Sequence, residues 1–157
     1  MDANSQANMQ QTYENSYLFP TSESDGSTAQ SASVALDPST GAVRGLVGRV
    51  GGTGDTTFRN FNYATQGKRS PGSTIKPLVV YAPALASGWS INKDLPNTPI
   101  DYNGYTPTNY GGIETDDVPM YQALANSYNI PAVYLFNQIG IQKGISYGQK
   151  FGLNFDN

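Results

Sequence analysis

Two short motifs carry residue types that can transfer acyl groups, Ser73-Thr74-Ile75-Lys76 and Ser127-Tyr128-Asn129. The first places a hydroxyl and an amine three positions apart on one face of a helix, so Lys76 can reach the Oγ of Ser73. The second adds another hydroxyl and a side-chain amide. Together they predict a serine acyl-transfer enzyme in which lysine moves the proton that histidine moves in most serine hydrolases.

The composition narrows the chemistry further, because the 157 residues contain no histidine and no cysteine. A Ser-His-Asp triad and a Cys-His dyad are therefore excluded. Zinc sites depend on these same two residue types, so we expect neither a metal nor another cofactor. The base that activates a hydroxyl must then be lysine, a carboxylate or tyrosine.

Context decides which Ser-x-x-Lys match is functional, since Ser90-Ile91-Asn92-Lys93 has the same spacing. Ser90 lies in a polar segment, which predicts a solvated loop. Ser73 begins an apolar helix, which is expected to carry it into the core. Lysine has an ordinary pKa of ~10.4 and a useful base has one of ~7–8, so burial must supply most of the difference at Lys76.

The second motif has two interpretations. Ser and Asn between helices commonly cap the next helix, here one predicted to begin near Pro131. The coexistence with the first motif favours a functional role instead. In that case Asn129 holds a substrate amide and Ser127 relays a proton.

The surrounding pattern predicts how these motifs are positioned. Residues 33–37 and 42–48 flank a Pro-Ser-Thr-Gly turn and predict a β-hairpin. A helix is predicted from about residue 73 to 86, with Pro83 expected to kink or shorten it. Further helices are predicted at residues 118–125, 131–139 and 141–151, the last interrupted by two glycines. Residues 1–32 read as a linker with a weak helix around 9–17, residues 51–55 as a flexible loop, and residues 89–117 as a long functional or covering loop.

Charge and hydropathy exclude some partners. The net charge of −3 and the isoelectric point near 4.7 argue against nucleic acid and anionic membrane surfaces. The first residues have neither a basic start nor an apolar stretch, so no signal peptide is expected, and no apolar run approaches the ~20 residues of a membrane span.

Four segments in order resemble the penicillin-binding proteins. They are Ala35-Leu36-Asp37-Pro38-Ser39-Thr40-Gly41, Arg69-Ser70-Pro71-Gly72-Ser73-Thr74-Ile75-Lys76-Pro77, Pro107-Thr108-Asn109-Tyr110 and Ala123-Leu124-Ala125-Asn126-Ser127-Tyr128-Asn129-Ile130-Pro131. The chain is similar in particular to the class A, bifunctional type of Gram-positive bacteria. The resemblance covers roughly residues 29–157. The ordered set is specific, although each motif alone is not.

The resemblance implies an α/β (α+β) fold of the penicillin-binding protein and serine β-lactamase type, an antiparallel sheet flanked by helices. It implies a D,D-transpeptidase of peptidoglycan cross-linking. Ser73 would be acylated by D-Ala-D-Ala stem peptides or by β-lactams, with Lys76 as base, Ser127 as proton relay and Asn129 as the substrate-amide contact. The partners would be peptidoglycan stem peptides and β-lactam antibiotics.

One departure from the family is the missing Lys-Thr/Ser-Gly motif. It leads us to expect that residues 33–157 are the N-terminal part of a transpeptidase domain whose C-terminal strands are missing, preceded by a linker or N-terminal extension at 1–32. The parent is expected to be extracytoplasmic and membrane-anchored with a glycosyltransferase domain, and this chain alone to be inactive.

Two other kinds of protein remain open on the sequence. One is a serine β-lactamase or D,D-carboxypeptidase, although the acidic loop residues Glu114, Asp116 and Asp117 lack a Glu-x-x-Leu-Asn pattern. The other is a non-catalytic penicillin-recognising sensor or an inert fragment. Turnover of a chromogenic β-lactam and covalent labelling of Ser73 separate the three possibilities.

Overall fold

The computed structural model describes residues 1–51 and 61–155, so the loop predicted at 51–55 lies almost wholly outside the described residues. The chain forms two compact units that divide between Ser70 and Pro71. None of the helices in the described ranges has the length and hydropathy that crossing a bilayer requires.

The first unit is built on the predicted hairpin, whose strands β1 (Ser33–Leu36) and β2 (Val43–Val47) pair antiparallel. Helix α1 (Ala3–Glu14) lies along β2, and a short 3₁₀ helix follows at Ser16–Leu18. Gln6 joins α1 to the strand because its side chain accepts from the Leu46 N–H at 2.8 Å and donates to the Leu46 carbonyl at 2.9 Å. This amide satisfies backbone groups that an open strand edge would leave unpaired.

Residues 1–32 are thus more ordered than the predicted linker. The weak helix expected at 9–17 begins at Ala3 and ends at Glu14. Asp2 caps it by accepting from the Ser5 N–H at 2.8 Å. A small apolar cluster of Tyr13, Val47 and Val50, with Met9 and Phe19 packed against it, holds the helix to the hairpin.

The second unit is mainly helical and contains a second two-stranded antiparallel sheet, β3 (Asp94–Leu95) with β4 (Val118–Pro119). The later helices are α3 (Met120–Ala125), α4 (Asn129–Ile139) and α5 (Ile141–Lys150). They match the predicted helices, but residues 118–119 belong to a strand and α4 begins at Asn129 rather than at the predicted Pro131. The core consists of buried side chains from several of these elements, among them Val79, Ala84, Leu95, Met120 and Leu135.

The helix predicted at residues 73–86 is continuous in position but not in type. It begins as a 3₁₀ turn at Gly72–Ile75, widens into a π turn at Pro77–Tyr81 and ends as α2 (Ala82–Ala86). The Ala82 N–H donates to the carbonyl of Pro77, five residues back. Pro83 therefore does not shorten the helix. Proline has no N–H to donate within a helix, and the helix accommodates it by widening into the π turn that precedes it.

The two glycines that interrupt the predicted last helix are needed for packing. A Cβ on Gly144 would lie 2.5 Å from the Val79 carbonyl oxygen and 2.2 Å from Phe136 Cε2. One on Gly148 would lie 2.5 Å from Phe155 Cζ. Both residues are buried, so α5 approaches the π turn at a distance that only glycine permits.

The segment expected to be a long loop, residues 89–117, is held by buried amides rather than by regular structure. It includes β3, a 3₁₀ turn at Tyr110–Gly112 and an isolated bridge between Tyr102 and Tyr105. Asn97 is fully buried and Asn109 is 5% exposed. This segment reaches the start of α4, where the second motif lies.

Candidate active site

An open cleft of about 610 Å³ lies in the second unit where the two motifs meet. Three stretches of chain form its walls: the 3₁₀ and π turns, the segment 105–108, and the first half of α4. The polar lining residues are Ser73, Lys76, Thr106, Thr108 and Asn129, and the apolar ones include Ile75, Val79 and Phe136. Polar groups able to transfer protons thus lie beside an apolar wall, as is typical of small-molecule sites.

Ser73 lines this cleft and is exposed. The expectation that its helix carries it into the core is therefore wrong, because the residue lies in the first turn, ahead of the buried part of the helix. It is the second residue of the 3₁₀ turn that begins at Gly72. N–H groups at the start of a helix have no intrahelical acceptor, so the Ser73 N–H is available to a ligand in the cleft.

The Lys76 ammonium is directed at the second motif. Its Nζ donates to the Asn129 Oδ1 at 2.6 Å, the Ser127 carbonyl at 2.7 Å, and the Ser127 Oγ and Tyr128 carbonyl at 3.3 Å each. Three N–H groups serve four oxygens, so at least one hydrogen is shared. Among the described contacts of Nζ none is to the Ser73 Oγ, so the hydrogen bond expected within the first motif is absent here.

Burial lowers the pKa of Lys76 below its ordinary value of 10.5. The physical cause is that apolar surroundings disfavour the charged form of an amine. The lysine is half-buried, with its head group in the cleft. This is the direction of shift that a general base requires, and it agrees with the expectation from the apolar sequence around Lys76.

Ser127 is held in a conformation that favours glycine, with φ of 53°. It follows the C-cap of α3, where its N–H donates to the Leu124 carbonyl at 3.0 Å and the Tyr128 N–H donates to the Ala123 carbonyl at 3.0 Å. This pair of bonds is a Schellman motif, in which the Ser127 position is usually glycine. A serine in this conformation is less stable than a glycine would be.

The side-chain amide of Asn129 has a defined orientation. Its Nδ2 donates to the Thr108 carbonyl at 2.8 Å, and its Oδ1 accepts from Lys76. One of the two Nδ2 hydrogens remains for another acceptor, on a residue that lines the cleft. The geometry thus leaves Asn129 able to donate to a bound carbonyl.

The second motif does not cap its own helix. The N-cap residue of α4, Tyr128, makes no side-chain capping bond. The Asn109 Oδ1 instead accepts from the N–H groups of Asn129 at 2.7 Å and Ile130 at 3.1 Å. The capping interpretation of the Ser127 and Asn129 side chains is therefore wrong, because a residue 20 positions upstream occupies that role.

The structure brings together Ser73, Lys76, Ser127 and Asn129 around one cleft. The second Ser-x-x-Lys match, residues 90–93, lies elsewhere. Ser90 and Lys93 are exposed, and within the described residues the Ser90 Oγ accepts one local 3.2 Å bond, from the Asn92 N–H. Sequence reasoning missed the contribution of Thr108 and Asn109 to the site. Their Pro-Thr-Asn-Tyr segment was part of the family resemblance, but nothing in its spacing showed that it meets the second motif.

Comparison with known proteins gives matches over most of this chain. The model of the penicillin-binding protein transpeptidase domain matches residues 31–156. The chain is 59% identical over 157 residues to penicillin-binding protein 2a of Streptococcus pneumoniae, covering 99% of this chain and 21% of that protein. It is 37% identical over 135 residues to penicillin-binding protein 1A of Clostridium tetani, covering 80% of this chain and 17% of that protein.

The fold is also found in a solved relative. The crystal structure of penicillin-binding protein 1A from Haemophilus influenzae matches with a TM-score of 0.71 at 30% identity, over 82% of this chain and 20% of that one. The α+β fold expected from the resemblance is therefore confirmed. The chain spans about a fifth of the length of these relatives. Motifs, fold and family model agree that this chain belongs to the penicillin-binding protein transpeptidase domain family.

Proposed function

We propose that this chain contributes the nucleophile half of a peptidoglycan D,D-transpeptidase site, in which Ser73 is the residue acylated by D-Ala-D-Ala stem peptides and by β-lactams. The observation that carries the proposal is the Lys76 side chain, which joins both motifs and has a pKa lowered by burial. An exposed hydroxyl lies one turn away on the same cleft. The family assignment supports the same reaction class.

The protonation state of Lys76 decides which partners it keeps. As an ammonium it donates to the backbone carbonyls of Ser127 and Tyr128 and also to the Asn129 Oδ1 and the Ser127 Oγ. A neutral amine presents a lone pair, to which carbonyl oxygens cannot donate but hydroxyls can. Loss of the proton therefore directs Nζ toward Ser73 and Ser127, the two hydroxyls that the proposed reaction uses.

Acylation then follows in balanced steps. The neutral Lys76 amine takes the proton of the Ser73 hydroxyl as Oγ attacks the carbonyl carbon of the penultimate D-Ala. The negative charge that develops on the carbonyl oxygen is stabilised by the Ser73 N–H at the start of its helix. The C–N bond breaks, the leaving D-Ala amine receives the proton from Lys76 through Ser127, and an ester on Ser73 remains.

Positioning of the substrate falls to Asn129 in this proposal. Its second Nδ2 hydrogen donates to an amide carbonyl of the stem peptide, while its Oδ1 keeps Lys76 in place. The ester is resolved by the amine of a second stem peptide, which forms the cross-link and returns the proton to the enzyme. The partners are accordingly peptidoglycan stem peptides and β-lactams, and the place of action is extracytoplasmic, in a membrane-anchored parent with a glycosyltransferase domain.

The test is covalent labelling with fluorescent penicillin, followed by mass mapping of the labelled peptide. It uses the longest natural polypeptide that contains this sequence, alongside the variants Ser73→Ala and Ser90→Ala. We expect a label on Ser73, loss of the label in Ser73→Ala, and wild-type labelling in Ser90→Ala. The last variant is the control, because it removes the hydroxyl of the other Ser-x-x-Lys match.

Other outcomes contradict parts of the proposal. A label on Ser90 or Ser127 overturns the assignment of the nucleophile. Rapid turnover of a chromogenic β-lactam, in place of a stable adduct, points to a β-lactamase. If no serine is labelled, the protein is non-catalytic.

A further inference from the structure

Two buried asparagines lie behind the second motif and connect it to a distant loop. Asn97 is fully buried and Asn109 is 5% exposed. The Asn109 Nδ2 donates to the Asn97 Oδ1 at 2.8 Å and to the Ile113 carbonyl at 2.7 Å. Buried amides with every contact paired in this way have one favourable orientation, because a flip would place donor against donor.

The hydrogen bonds that link Asn97 and Asn109 to their neighbours all have a defined donor and acceptor. The Thr115 hydroxyl donates to the Asp116 carbonyl at 3.0 Å, so its oxygen accepts from the Asn97 Nδ2 at 2.8 Å. The Asn97 Oδ1 is therefore turned toward Asn109, and the Asn109 Oδ1 toward α4. Each link fixes the orientation of the next.

The last link holds the backbone that carries the candidate catalytic groups. The Asn109 Oδ1 accepts from the Asn129 N–H at 2.7 Å and from the Ile130 N–H at 3.1 Å. Its neighbour Thr108 accepts from the Asn129 side chain at 2.8 Å. Two adjacent residues of one segment thus fix both the main chain and the side chain of Asn129, which in turn contacts Lys76.

We infer that Asn109 is a positioning residue for this site, and that Asn97 orients it. Asn109 does not line the cleft, so its effect passes through Asn129 to Lys76. The kinetic part of this inference rests on the proposed function, because it assumes that these groups react. Reacting groups displaced by about 1 Å lose on the order of 10²-fold in rate, which sets the expected size of the effect.

The test compares Asn109→Leu, which keeps the number and branching of the side-chain heavy atoms but has no acceptor, with Ile139→Ala. Ile139 packs at the far end of the same helix, roughly 15 Å from Asn129 at the rise of an α-helix, and serves as the control for lost stability. Both variants are made in the longest natural polypeptide that contains this sequence. Acylation rate constants are measured with fluorescent penicillin well below the melting temperature of each variant.

We expect Asn109→Leu to lower the acylation rate constant about 10²-fold, while Ile139→Ala retains the wild-type value. If Asn109→Leu does not fold, we use Asn109→Ser, which we expect to fold because it leaves room for water. The serine hydroxyl is too short to reach both N–H groups. For it we expect about a tenfold loss. Equal rates in the asparagine variants and the control overturn the inference.

A second measurement keeps this inference separate from the proposed function. Hydrogen exchange is followed by mass spectrometry in peptides that span the start of α4, where Asn129 and Ile130 lie. We expect faster exchange there in Asn109→Leu than in Ile139→Ala, whether or not Ser73 reacts with penicillin. Unchanged exchange overturns the positioning role, whereas an unlabelled wild-type protein with the expected exchange overturns only the proposed function.

Discussion

The Nζ of Lys76 donates a 2.6 Å hydrogen bond to the Oδ1 of Asn129, 53 positions later in the chain. This contact makes the two motifs one site, since neither motif alone contains both the proposed nucleophile and an oriented amide. A change in one motif is therefore expected to alter the reactivity of the other.

Acylation is expected to rise with pH as Lys76 loses its proton. Because burial lowers the pKa of Lys76, the midpoint is expected below 10.5, the ordinary value for lysine. Acylation rates measured from neutral to alkaline pH, within the range where the fold is intact, test this. A midpoint at or above 10.5 would contradict a role for burial in activating Lys76.

The matching variant is Lys76→Ala, for which we expect a loss of ~10²–10⁴-fold, the range for removing a general base. The pH dependence assigned to Lys76 should disappear with it. The variant should still fold, since alanine favours helix. A loss smaller than about tenfold in a folded variant would exclude Lys76 as the base.

Replacing Ser127 with glycine is expected to stabilise the fold and to slow the reaction. Ser127→Gly relieves the left-handed conformation, which costs about 1 kcal/mol for a residue with a side chain. For a chain of this size we expect a melting temperature about 2–4 °C higher. Ser127→Ala removes the same hydroxyl without that relief and is the control.

Both Ser127 variants should acylate more slowly by ~10²-fold or more, since both lack the proposed proton relay. Thermal melts and penicillin labelling on the same preparations measure the two effects. A glycine variant that is more stable and fully reactive would show that the hydroxyl has no part in acylation.

Asn129→Ala is expected to reduce acylation more than it reduces stability, because the amide contacts Lys76 and is proposed to contact the substrate. The control is Asn126→Ala, three residues earlier, whose exposed amide makes one local 3.1 Å bond to the Gln122 carbonyl. Melts and labelling rates of the two variants are compared. If both lose about 1 kcal/mol of stability with unchanged kinetics, Asn129 is a structural residue only.

Gly144→Ala is expected to lower the free energy of unfolding by about 1–3 kcal/mol, since the new methyl group would overlap the Val79 carbonyl and the Phe136 ring. The gain of up to ~1 kcal/mol in helix propensity does not offset this. Ser146→Ala, exposed on the same helix, is expected to stay within about 0.5 kcal/mol of wild type. Urea unfolding of the chain measures both, and equal midpoints would contradict the close approach of α5.

The family, the hairpin of β1 and β2 and the presence of the later helices could all be predicted from the sequence. These depend on residues that are near one another in the chain: a turn between two apolar runs, apolar residues at helical spacing, and motifs of three or four residues. The absence of histidine also excluded histidine-based proton transfer on composition alone. Local pattern is sufficient for such inferences because local backbone energetics and side-chain periodicity produce them.

The assembly of the site could not be predicted from the sequence, because it depends on the packing of distant segments. The contact of Lys76 with Asn129, the capping of α4 by Asn109 and the exposure of Ser73 join or separate residues that are far apart in sequence. The π turn before Pro83 and the need for Gly144 depend on what packs against them. A buried amide satisfies whichever donor the fold brings to it, and no spacing in the chain encodes that partner.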